Sequence, residues 1–399
     1  MEFGRSLMQR EFCLEETSTH LNNASGAVPK KVFDYQISVM EERERNPEHW
    51  YRYVVNDRYM NAVAKVAEFI GCCKENLVLV ETTTSGINAV AKAMSWEAGD
   101  AILCTDHTYG ANINLVQHVA KENKGLDVIQ MHIPLPLEHE DEVIKAYADV
   151  IEKSHKIKLA IIDHISSASA IMFPVKKLVD LCREKGVMTL IDGAHCPGQV
   201  QLDLENLGAD YYIGNLHKWM FCPRGCALLW IHPSHHDTTH PIITSASIFH
   251  TNLQQRFSQQ ATRDPIPYLT APKAIEFCLS LGGLDAIVAR NSKLVKWAAS
   301  MLSEAWTSTC LPIPISMRAP FMILIGLPDT KVTRQYELEA KELKCPTLMK
   351  VIYEKHRVFT AISYFMGKLW CRVSVQVHNC QEDYYKLRDA ILDVLKDEP

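Results

Sequence analysis

The chain has 399 residues, of which 47% are apolar and 22% charged, and its formal net charge is −5, as in an ordinary globular protein. No Lys/Arg block provides the concentrated basic face that nucleic acids or anionic membranes require, and no apolar run reaches the length of a membrane span. We therefore expect no nucleic-acid or membrane partner, and a core large enough for two domains.

Cysteine usage and the N-terminal segment indicate a compartment. Residues 1–16 mix Glu and Arg without an apolar stretch, so this segment does not resemble a secretory signal. The 13 Cys follow no disulfide framework, and the adjacent pair Cys72 and Cys73 is too close for the usual zinc spacing. We expect reduced thiols, a cytoplasmic location and no metal site.

Short apolar runs alternate with helical patterns between residues 76 and 232. Strands are predicted at 76–81, 101–105, 126–132, 158–163, 187–192 and 227–232, and helices near 85–94, 112–121, 140–153 and 175–185. This alternation predicts an α/β fold with a mostly parallel central sheet and helices on both faces.

The last third of the chain has a different pattern. A predicted helix at 268–281 ends at a Gly pair, and a second helix is predicted at 284–306. Strands punctuated by Pro follow, with a final helix near 382–396. We predict an N-terminal segment at 1–60 that packs on the small domain, a large domain at 61–274 and a small α/β domain at 275–399.

Lys218 is the first candidate for a chemical role. It follows a predicted strand end in the segment YYIGNLHKWMFCPRG, between His217 and Trp219. A Lys in a partly desolvated pocket has a lowered pKa, so it can supply the neutral amine of a Schiff base. A Lys beside a Trp is more often a surface residue, so the interpretation depends on other residues.

Asp192 is a second candidate, at the end of the apolar run VMTLID. Open α/β sheets bind ligands at the carboxyl ends of their parallel strands. A carboxylate there can pair with the pyridine nitrogen of pyridoxal 5′-phosphate (PLP) and keep it protonated. The alternative is an Asp that only caps the following turn.

The segment ETTTSG at 81–86 lies between a predicted strand and a predicted helix. Hydroxyls and free N–H groups at a helix N-terminus bind phosphate, although an ordinary N-cap has the same composition. The chain has neither the P-loop motif nor a G-x-G-x-x-G after a strand, which argues against a nucleotide P-loop and a nicotinamide dehydrogenase. A phosphate site, a strand-end Asp and a downstream Lys occur in the order that a PLP enzyme requires.

Over nearly its whole length the sequence resembles the class V aminotransferase family of PLP enzymes, and within it the isopenicillin N epimerase-like branch. The matching blocks are HLNNASG (20–26), TTTSGIN (82–88), DHTYGAN (106–112), DHISS (163–167), DGAH (192–195), GNLHK (214–218), TRD (262–264) and CRVSVQVHN (371–379). The resemblance implies an aspartate-aminotransferase-like fold, with PLP bound to the large domain, and a homodimer with shared active sites.

The resemblance also implies roles for the matching residues. Lys218 would bind PLP and transfer protons, Asp192 would pair with the pyridine nitrogen, and Arg372 would bind the substrate carboxylate. The remaining implied contacts are His195 and Ser167 for the ring hydroxyl, Tyr109 or else His107 for ring stacking, Thr83, Thr84, Ser85, Asn215 and His217 for the phosphate, Thr262 for the neighbouring subunit's phosphate, and Asn23 and Ser25 for the substrate. Two positions depart from the family pattern: Ala261 replaces a glycine, and His378 replaces a tyrosine.

The reaction is constrained less than the cofactor. Persulfide-forming desulfurases of this family carry a Cys shortly before the carboxylate-binding Arg, but residues 357–369 contain none. Cys345 lies too far upstream and Cys371 lies inside a strand pattern, so we do not expect a desulfurase.

The epimerase-like branch includes cysteine desulfhydrases and hercynylcysteine sulfoxide lyases. We therefore expect a C–S β-lyase that acts on the amino acid L-cysteine, an S-substituted cysteine or its sulfoxide, and releases pyruvate and ammonia. Tyr109 or His107 would protonate the leaving sulfur. The alternative is an epimerase or an aminotransferase. An inactive binding protein is disfavoured because Lys218, Asp192 and Arg372 are all present.

Overall fold

The computed structural model describes residues 2–154, 156–343 and 347–396 of the chain. The strands in these ranges are β1 (Thr19–His20), β2 (Leu77–Val80), β3 (Ala101–Thr105), β4 (Asp127–Met131), β5 (Ile157–Asp163), β6 (Met188–Asp192), β7 (Tyr211–Asn215), β8 (Ala227–Ile231), β9 (Met322–Gly326), β10 (Val358–Phe359), β11 (Ala361–Phe365) and β12 (Lys368–Ser374).

The helices in the same ranges are α1 (Arg5–Glu11), α2 (Lys30–Arg45), α3 (Pro47–His49), α4 (Val55–Ile70), α5 (Thr83–Ala93), α6 (Gly110–Glu122), α7 (Asp141–Lys153), α8 (Val175–Glu184), α9 (Leu204–Leu207), α10 (Leu216–Trp219), α11 (Leu253–Ser258), α12 (Ile266–Leu269), α13 (Ala271–Ser280), α14 (Gly283–Ala305), α15 (Lys331–Leu343), α16 (Leu348–His356) and α17 (Gln381–Val394). None of the helices in the described ranges combines the length and the apolar character that crossing a membrane would need.

The central sheet has seven strands in the order β2-β8-β7-β6-β5-β3-β4. The pairs from β7 to β4 are parallel, and β8 is antiparallel to both of its neighbours. Successive residues of a strand point to opposite faces of the sheet and enter different cores. In β5, Ile161 belongs to the core that includes α5 and α6, whereas Ile162 belongs to the core that includes α4, α7 and α8. The predicted mostly parallel α/β sheet with helices on both faces is confirmed.

Two strands differ from the sequence prediction. β4 comes from an apolar run of the kind that forms buried strands, but it is only partly buried because it forms the edge of the sheet. β7 was recognised only as a strand end before Lys218, and it lies in the middle of the sheet between β6 and β8.

The C-terminal part is built on a three-stranded antiparallel sheet in the order β11-β12-β9. Ile325 of β9 and Val373 of β12 pack against Leu302 of α14 and Tyr384 of α17 in a second hydrophobic core. β1 pairs in parallel with β10, and Leu21 joins the same core. Residues 19–21 are therefore held by the last part of the chain.

The predicted domain boundaries remain predictions. α2 packs on α12 and α13, and Trp50 lies in the core of the central sheet, so residues 30–60 contact mainly the large part of the molecule. The predicted boundary at residue 275 falls inside α13.

Candidate active site

A cavity of about 360 Å³ opens at the carboxyl ends of β5, β6 and β7, where parallel sheets place their ligands. It is lined by Asn22, Ala24, Ser25, Thr82, Thr83, Thr84, Tyr109, Asp163, Ile165, Ser167, Asp192, Ala194, His195, Asn215, His217, Lys218 and Arg372. Most of the residues predicted for the site therefore come together, although they are spread over the whole chain.

Lys218 reaches the cavity from α10, the short helix that follows β7. Its Nζ lies 2.9 Å from Nε2 of His195. Burial lowers the pKa of Lys218 to about 8, the carboxylate of Asp192 opposes this shift, and the guanidinium of Arg372 adds to it. About a tenth of the amine is then neutral at pH 7, far more than for an exposed lysine.

Asp192 ends β6 and both of its oxygens have donors. Oδ1 accepts a hydrogen bond from the backbone N–H of Ala194 at 3.0 Å, and Oδ2 accepts one from Nδ2 of Asn112 at 2.7 Å. Burial raises the pKa of Asp192, while these two donors and the charge of Lys218 favour the ionised form. The carboxylate therefore caps the following turn and also lines the cavity, so the capping role does not exclude a contact with the cofactor.

Asp163 lines the cavity and was not assigned a role from the sequence. It ends β5 directly beside Asp192 in the register of the sheet, and its Oδ2 has no hydrogen-bond partner among the described residues. A signal was present, because the apolar runs KLAIID and VMTLID both end in Asp. Two neighbouring parallel strands with the same ending bring their carboxylates together.

The first turn of α5 forms one end of the cavity. Oγ1 of Thr82 accepts a hydrogen bond from the N–H of Ser85 at 3.0 Å and caps the helix. Asn215 accepts a hydrogen bond from the N–H of Thr83 at 3.1 Å and donates one to its Oγ1 at 3.2 Å. Thr82, Thr83 and Thr84 line the cavity, whereas Ser85, a predicted phosphate ligand, does not. Its position in the capping turn directs it to Thr82 instead.

His217 lies at the same end of the cavity. Its Nδ1 donates a hydrogen bond to the carbonyl oxygen of Cys226 at 3.0 Å, which leaves Nε2 as the other available ring nitrogen. Burial lowers the pKa of His217 to about 4. The backbone at Gly26 passes close to the backbone of His217. Gly26 has φ +70°, and a side chain at this position would overlap the carbonyl oxygen of His217.

Arg372 of β12 forms the opposite end. One of its terminal nitrogens, Nη2, donates a hydrogen bond to Oδ1 of Asn22 at 2.7 Å, and Nη1 donates to the backbone carbonyl of Ser167. Its Nε has no partner among the described residues, and burial lowers its pKa to about 10. A buried guanidinium with an unpaired N–H is suited to an anionic ligand.

Asn23, a predicted substrate contact, does not line the cavity. Its Nδ2 donates a hydrogen bond to Oδ1 of Asn379 at 2.9 Å, and the residue is buried. Asn22 lines the cavity instead, together with Ala24 and the predicted Ser25. The single turn of 3-10 helix at Asn23–Ser25 turns successive side chains in different directions, which a strand-like or loop pattern does not reveal.

The two candidates for ring stacking are separated by the fold. Tyr109 lines the cavity with 49% of its surface exposed. His107 is buried behind it: Nδ1 lies 2.9 Å from Oγ of Ser169, and the ring packs against Phe173 and Phe365. His107 therefore does not contact the cavity, because the turn at 106–109 points it into the interior.

Thr262 and the two departures from the family pattern lie outside this cavity. Thr262 is exposed, and the preceding Ala261 adopts φ +58°, a conformation that glycine adopts more readily. His378 is buried and its ring centroid lies 5.1 Å from that of Phe12.

No cysteine of the described ranges lines the cavity. Cys371 is buried with Sγ 3.3 Å from Oγ1 of Thr360, and burial raises its pKa to about 12, so it is a poor nucleophile. Cys345 lies outside the described residues. The described residues contain no cluster of three or more His, Cys, Asp and Glu side chains suited to a metal.

The donors of the cavity fit PLP. The threonine hydroxyls and the N-terminus of α5 suit a phosphate at one end. A buried carboxylate and a lysine with a lowered pKa suit a pyridine nitrogen and an aldehyde in the middle. Asp163 Oδ2, His195 Nδ1 and Arg372 Nε are buried without partners among the described residues, as expected for a site whose polar groups face a ligand.

Comparisons with known proteins agree with this fit. Residues 20–323 match the family model of aminotransferase class-V. The chain is 28% identical to an L-cysteine desulfhydrase of Arabidopsis thaliana, over 97% of this chain and 90% of that protein. It is 26% identical to the hercynylcysteine sulfoxide lyase of Schizosaccharomyces pombe, over 97% and 96%.

A solved structure of a cystine C–S lyase in complex with cysteine persulfide has the same fold. Its TM-score to this chain is 0.78 at 18% identity, covering 95% of this chain and 98% of that one. The match of the family model spans most of the chain and includes the strand-end Asp and the Lys. The chain therefore belongs to the aminotransferase class-V family and is a PLP-dependent enzyme.

Proposed function

We propose that the protein is a C–S β-lyase that acts on L-cysteine, an S-substituted cysteine or its sulfoxide, and releases pyruvate, ammonia and a thiol-type product. The observation that carries the proposal is the meeting of Lys218, Asp192 and Arg372 in one cavity beside the exposed ring of Tyr109. The names of the two relatives, an L-cysteine desulfhydrase and a sulfoxide lyase, support cysteine-type substrates.

Lys218 and Asp192 carry the central roles in this proposal. PLP, when bound, withdraws electrons from the amino acid and makes its Cα–H acidic. Asp192 would hold a proton on the pyridine nitrogen, and Lys218 would hold the cofactor and later accept the Cα proton. The contact between Nζ of Lys218 and Nε2 of His195 orients the amine for this transfer.

The remaining cavity residues would position the two ligands. Thr83, Thr84, Asn215 and His217 would bind the phosphate, and Ser167 with His195 would approach the ring hydroxyl. Arg372 would bind the substrate carboxylate through its unpaired Nε–H, with its planar group oriented by Asn22 and Ser167. Ser25 lies at the cavity wall where a substrate would enter.

Tyr109 would stack on the ring and protonate the leaving sulfur. Elimination breaks the Cα–H and Cβ–S bonds, so the leaving group, a thiolate or, from a sulfoxide, a sulfenate, needs a proton, and the phenol of Tyr109 in the cavity wall would supply it. The released enamine hydrolyses to pyruvate and ammonia.

We also propose a homodimer in which Thr262 binds the phosphate of the neighbouring subunit. Thr262 is exposed and outside its own cavity. α2 exposes Phe33, Ile37 and Met40 along one face, an apolar surface that a second copy would cover. Light scattering of the purified protein should give twice the mass of the chain, and Thr262→Ala should weaken PLP binding. A monomer with full PLP affinity would contradict this proposal.

We propose a cytoplasmic location because the cysteines are present as free thiols. Every cysteine in the described part of the chain is free, and most of these cysteines are buried, as in proteins of reducing compartments. Fractionation of cells that express the native protein would test this location, and recovery in an oxidising compartment would contradict it.

The function is tested by measuring pyruvate from the PLP-loaded protein with L-cysteine, its S-conjugates and their sulfoxides. Lys218→Ala serves as the blank. We expect pyruvate that depends on Lys218, and the best substrate would identify the leaving group. Proton exchange at Cα without pyruvate, or keto acids from other amino acids, would instead favour the alternative, an epimerase or an aminotransferase.

A further inference from the structure

We propose that Asp163 is a positioning residue that acts as an uncharged carboxylic acid. Asp163 and Asp192 end neighbouring strands, and a neutral Asp163 leaves the negative charge of this pair on Asp192. Asp163 also supports the turn that carries Tyr109. The inference rests on the roles proposed above for Asp192 and Tyr109, and it assigns a function to a cavity residue that the proposed reaction does not use.

The sheet brings the two carboxyl groups together. Asp163 of β5 and Asp192 of β6 are register partners in parallel strands, and neighbouring strands lie about 4.8 Å apart. Each residue follows, at a spacing of two, a residue of the core that α5 and α6 cover, namely Ile161 and Leu190. Both side chains therefore lie on the same face of the sheet.

Both residues are only 4% exposed, so the pair cannot be doubly charged without a large cost. One proton is expected on the pair, and the surroundings decide its position. Asp192 has an N–H donor on each oxygen, from Ala194 and Asn112, and the charge of Lys218 nearby. These groups stabilise the ionised form of Asp192.

The surroundings of Asp163 favour the protonated form. The hydroxyl of Thr108 and the backbone N–H of Tyr109 favour the ionised form only in part, and Oδ2 is buried with no hydrogen-bond partner among the described residues. An ionised oxygen without a donor is costly in the interior, whereas the same oxygen as O–H becomes a donor at the cavity wall. Burial and the charge of Asp192 raise the pKa of Asp163 well above its usual value.

The titratable groups around Asp163 do not supply a compensating positive charge. Cys104 of β3 and Tyr147 of α7 both interact with Asp163, and burial raises the pKa of the thiol and of the phenol. They are neutral near pH 7, and Asp192 is the remaining partner. The positive charge of Lys218 stabilises the ionised form of Asp192 instead.

Asp163 also holds the turn at 105–109. Its carboxyl group interacts favourably with the hydroxyl of Thr108 and with the backbone N–H of Tyr109, and Oγ1 of Thr108 accepts a hydrogen bond from the N–H of Thr105 at 3.1 Å. The position of the Tyr109 ring therefore depends on an acceptor at Asp163. Asn can replace a protonated Asp at this position, because its carbonyl oxygen remains an acceptor that faces Thr108 and Tyr109 and its NH₂ group replaces the O–H.

The test compares Asp163→Asn, Asp163→Ala and Asp192→Asn by PLP titration of the apoprotein and by pH titration of the bound cofactor's absorption. We expect Asp163→Asn to keep the dissociation constant within about threefold of the wild type and to keep the spectral midpoint. Asp163→Ala should weaken PLP binding by about tenfold, since the polar partner of the turn that carries Tyr109 is lost. Asp192→Asn should shift the spectral midpoint.

Two results would overturn the proposal. If Asp163→Asn shifts the spectrum as strongly as Asp192→Asn, Asp163 acts as a charged group. If Asp163→Ala folds and binds PLP like the wild type, Asp163 has no positioning role. Circular dichroism checks folding, and if the Ala variant does not fold, the Asn variant alone decides. These readouts do not depend on elimination, so they remain valid if the proposed reaction is wrong.

Discussion

The two ends of the cavity are built in different ways. We call them the cofactor end, where PLP is proposed to bind, and the substrate end, where Arg372 is proposed to bind the substrate carboxylate. At the cofactor end, Asp192 and Asn215 end strands of the central sheet and Thr83 and Lys218 follow such strands, so the strands themselves bring the residues together. At the substrate end, Arg372 meets Asn22, which lies 350 residues away in the chain. The first end depends on local strand–turn–helix geometry, and the second depends on how the chain's two extremities pack.

This difference suggests how the ends tolerate change. The cofactor end is supported by the hydrogen bonds of the sheet, and its residues are fixed by the strand register. The substrate end depends on β1 pairing with β10 and on the buried contacts of Asn23 with Ser374 and Asn379. Changes at the cofactor end should alter spectrum and turnover, and changes at the substrate end should alter KM.

The largest effect is expected for Lys218→Ala. Loss of the amine removes the group proposed to hold PLP and accept the Cα proton, so pyruvate release should fall by at least about a thousandfold. The cofactor absorption should change as well, which assigns the effect to the cofactor end. Lys218→Arg is the matched control, since it retains a positive charge without a readily deprotonated amine. A loss of less than about tenfold in both variants would contradict the assignment.

Arg372→Ala should have the next largest effect and act on KM. Loss of the charge-assisted contact to the carboxylate should raise KM by about a hundredfold and leave the absorption of bound PLP unchanged. Arg372→Lys keeps the charge, and its KM should lie between those of the wild type and Arg372→Ala. If the cofactor spectrum changes as strongly as KM, the two ends are not separate.

The pH dependence of PLP binding should report the pKa of Lys218. Burial lowers this pKa to about 8, so the reactive neutral amine increases as pH rises and is largely formed above pH 8. The rate at which the apoprotein takes up PLP should therefore rise by about tenfold from pH 7 to pH 9 and then level off. A rate that keeps rising through pH 10 would indicate an ordinary lysine.

The smallest effects separate Asn22 from Asn23. Asn22→Ala removes the acceptor that orients Arg372 and should raise KM by about fivefold. Asn23→Ala should leave KM unchanged but lower the free energy of unfolding by about 1–3 kcal/mol, because a buried network loses its amide. Steady-state kinetics and urea unfolding measure both. A rise in KM for Asn23→Ala alone would restore Asn23 as a substrate contact.

The outcome for individual residues follows the same division. The sequence predicts Lys218, Asp192 and the Thr-rich turn as site residues, because a strand end followed by a turn is a local pattern that positions a side chain, and all three line the cavity. Asp163 has the same pattern, but its importance depends on β5 lying next to β6, which strand order alone decides. The distinction between Tyr109 and His107 required the packing of His107 against Phe173 and Phe365.

The sequence by itself determined the alternating α/β pattern, because apolar periodicity acts over a few residues, and it determined the cofactor through short motifs and the family resemblance. Only the tertiary structure decided that Asn22 rather than Asn23 contacts Arg372 and that Asp163 shares a buried site with Asp192. The physical reason is that these contacts join residues far apart in the chain. Their direction depends on one turn of helix or one step in strand order.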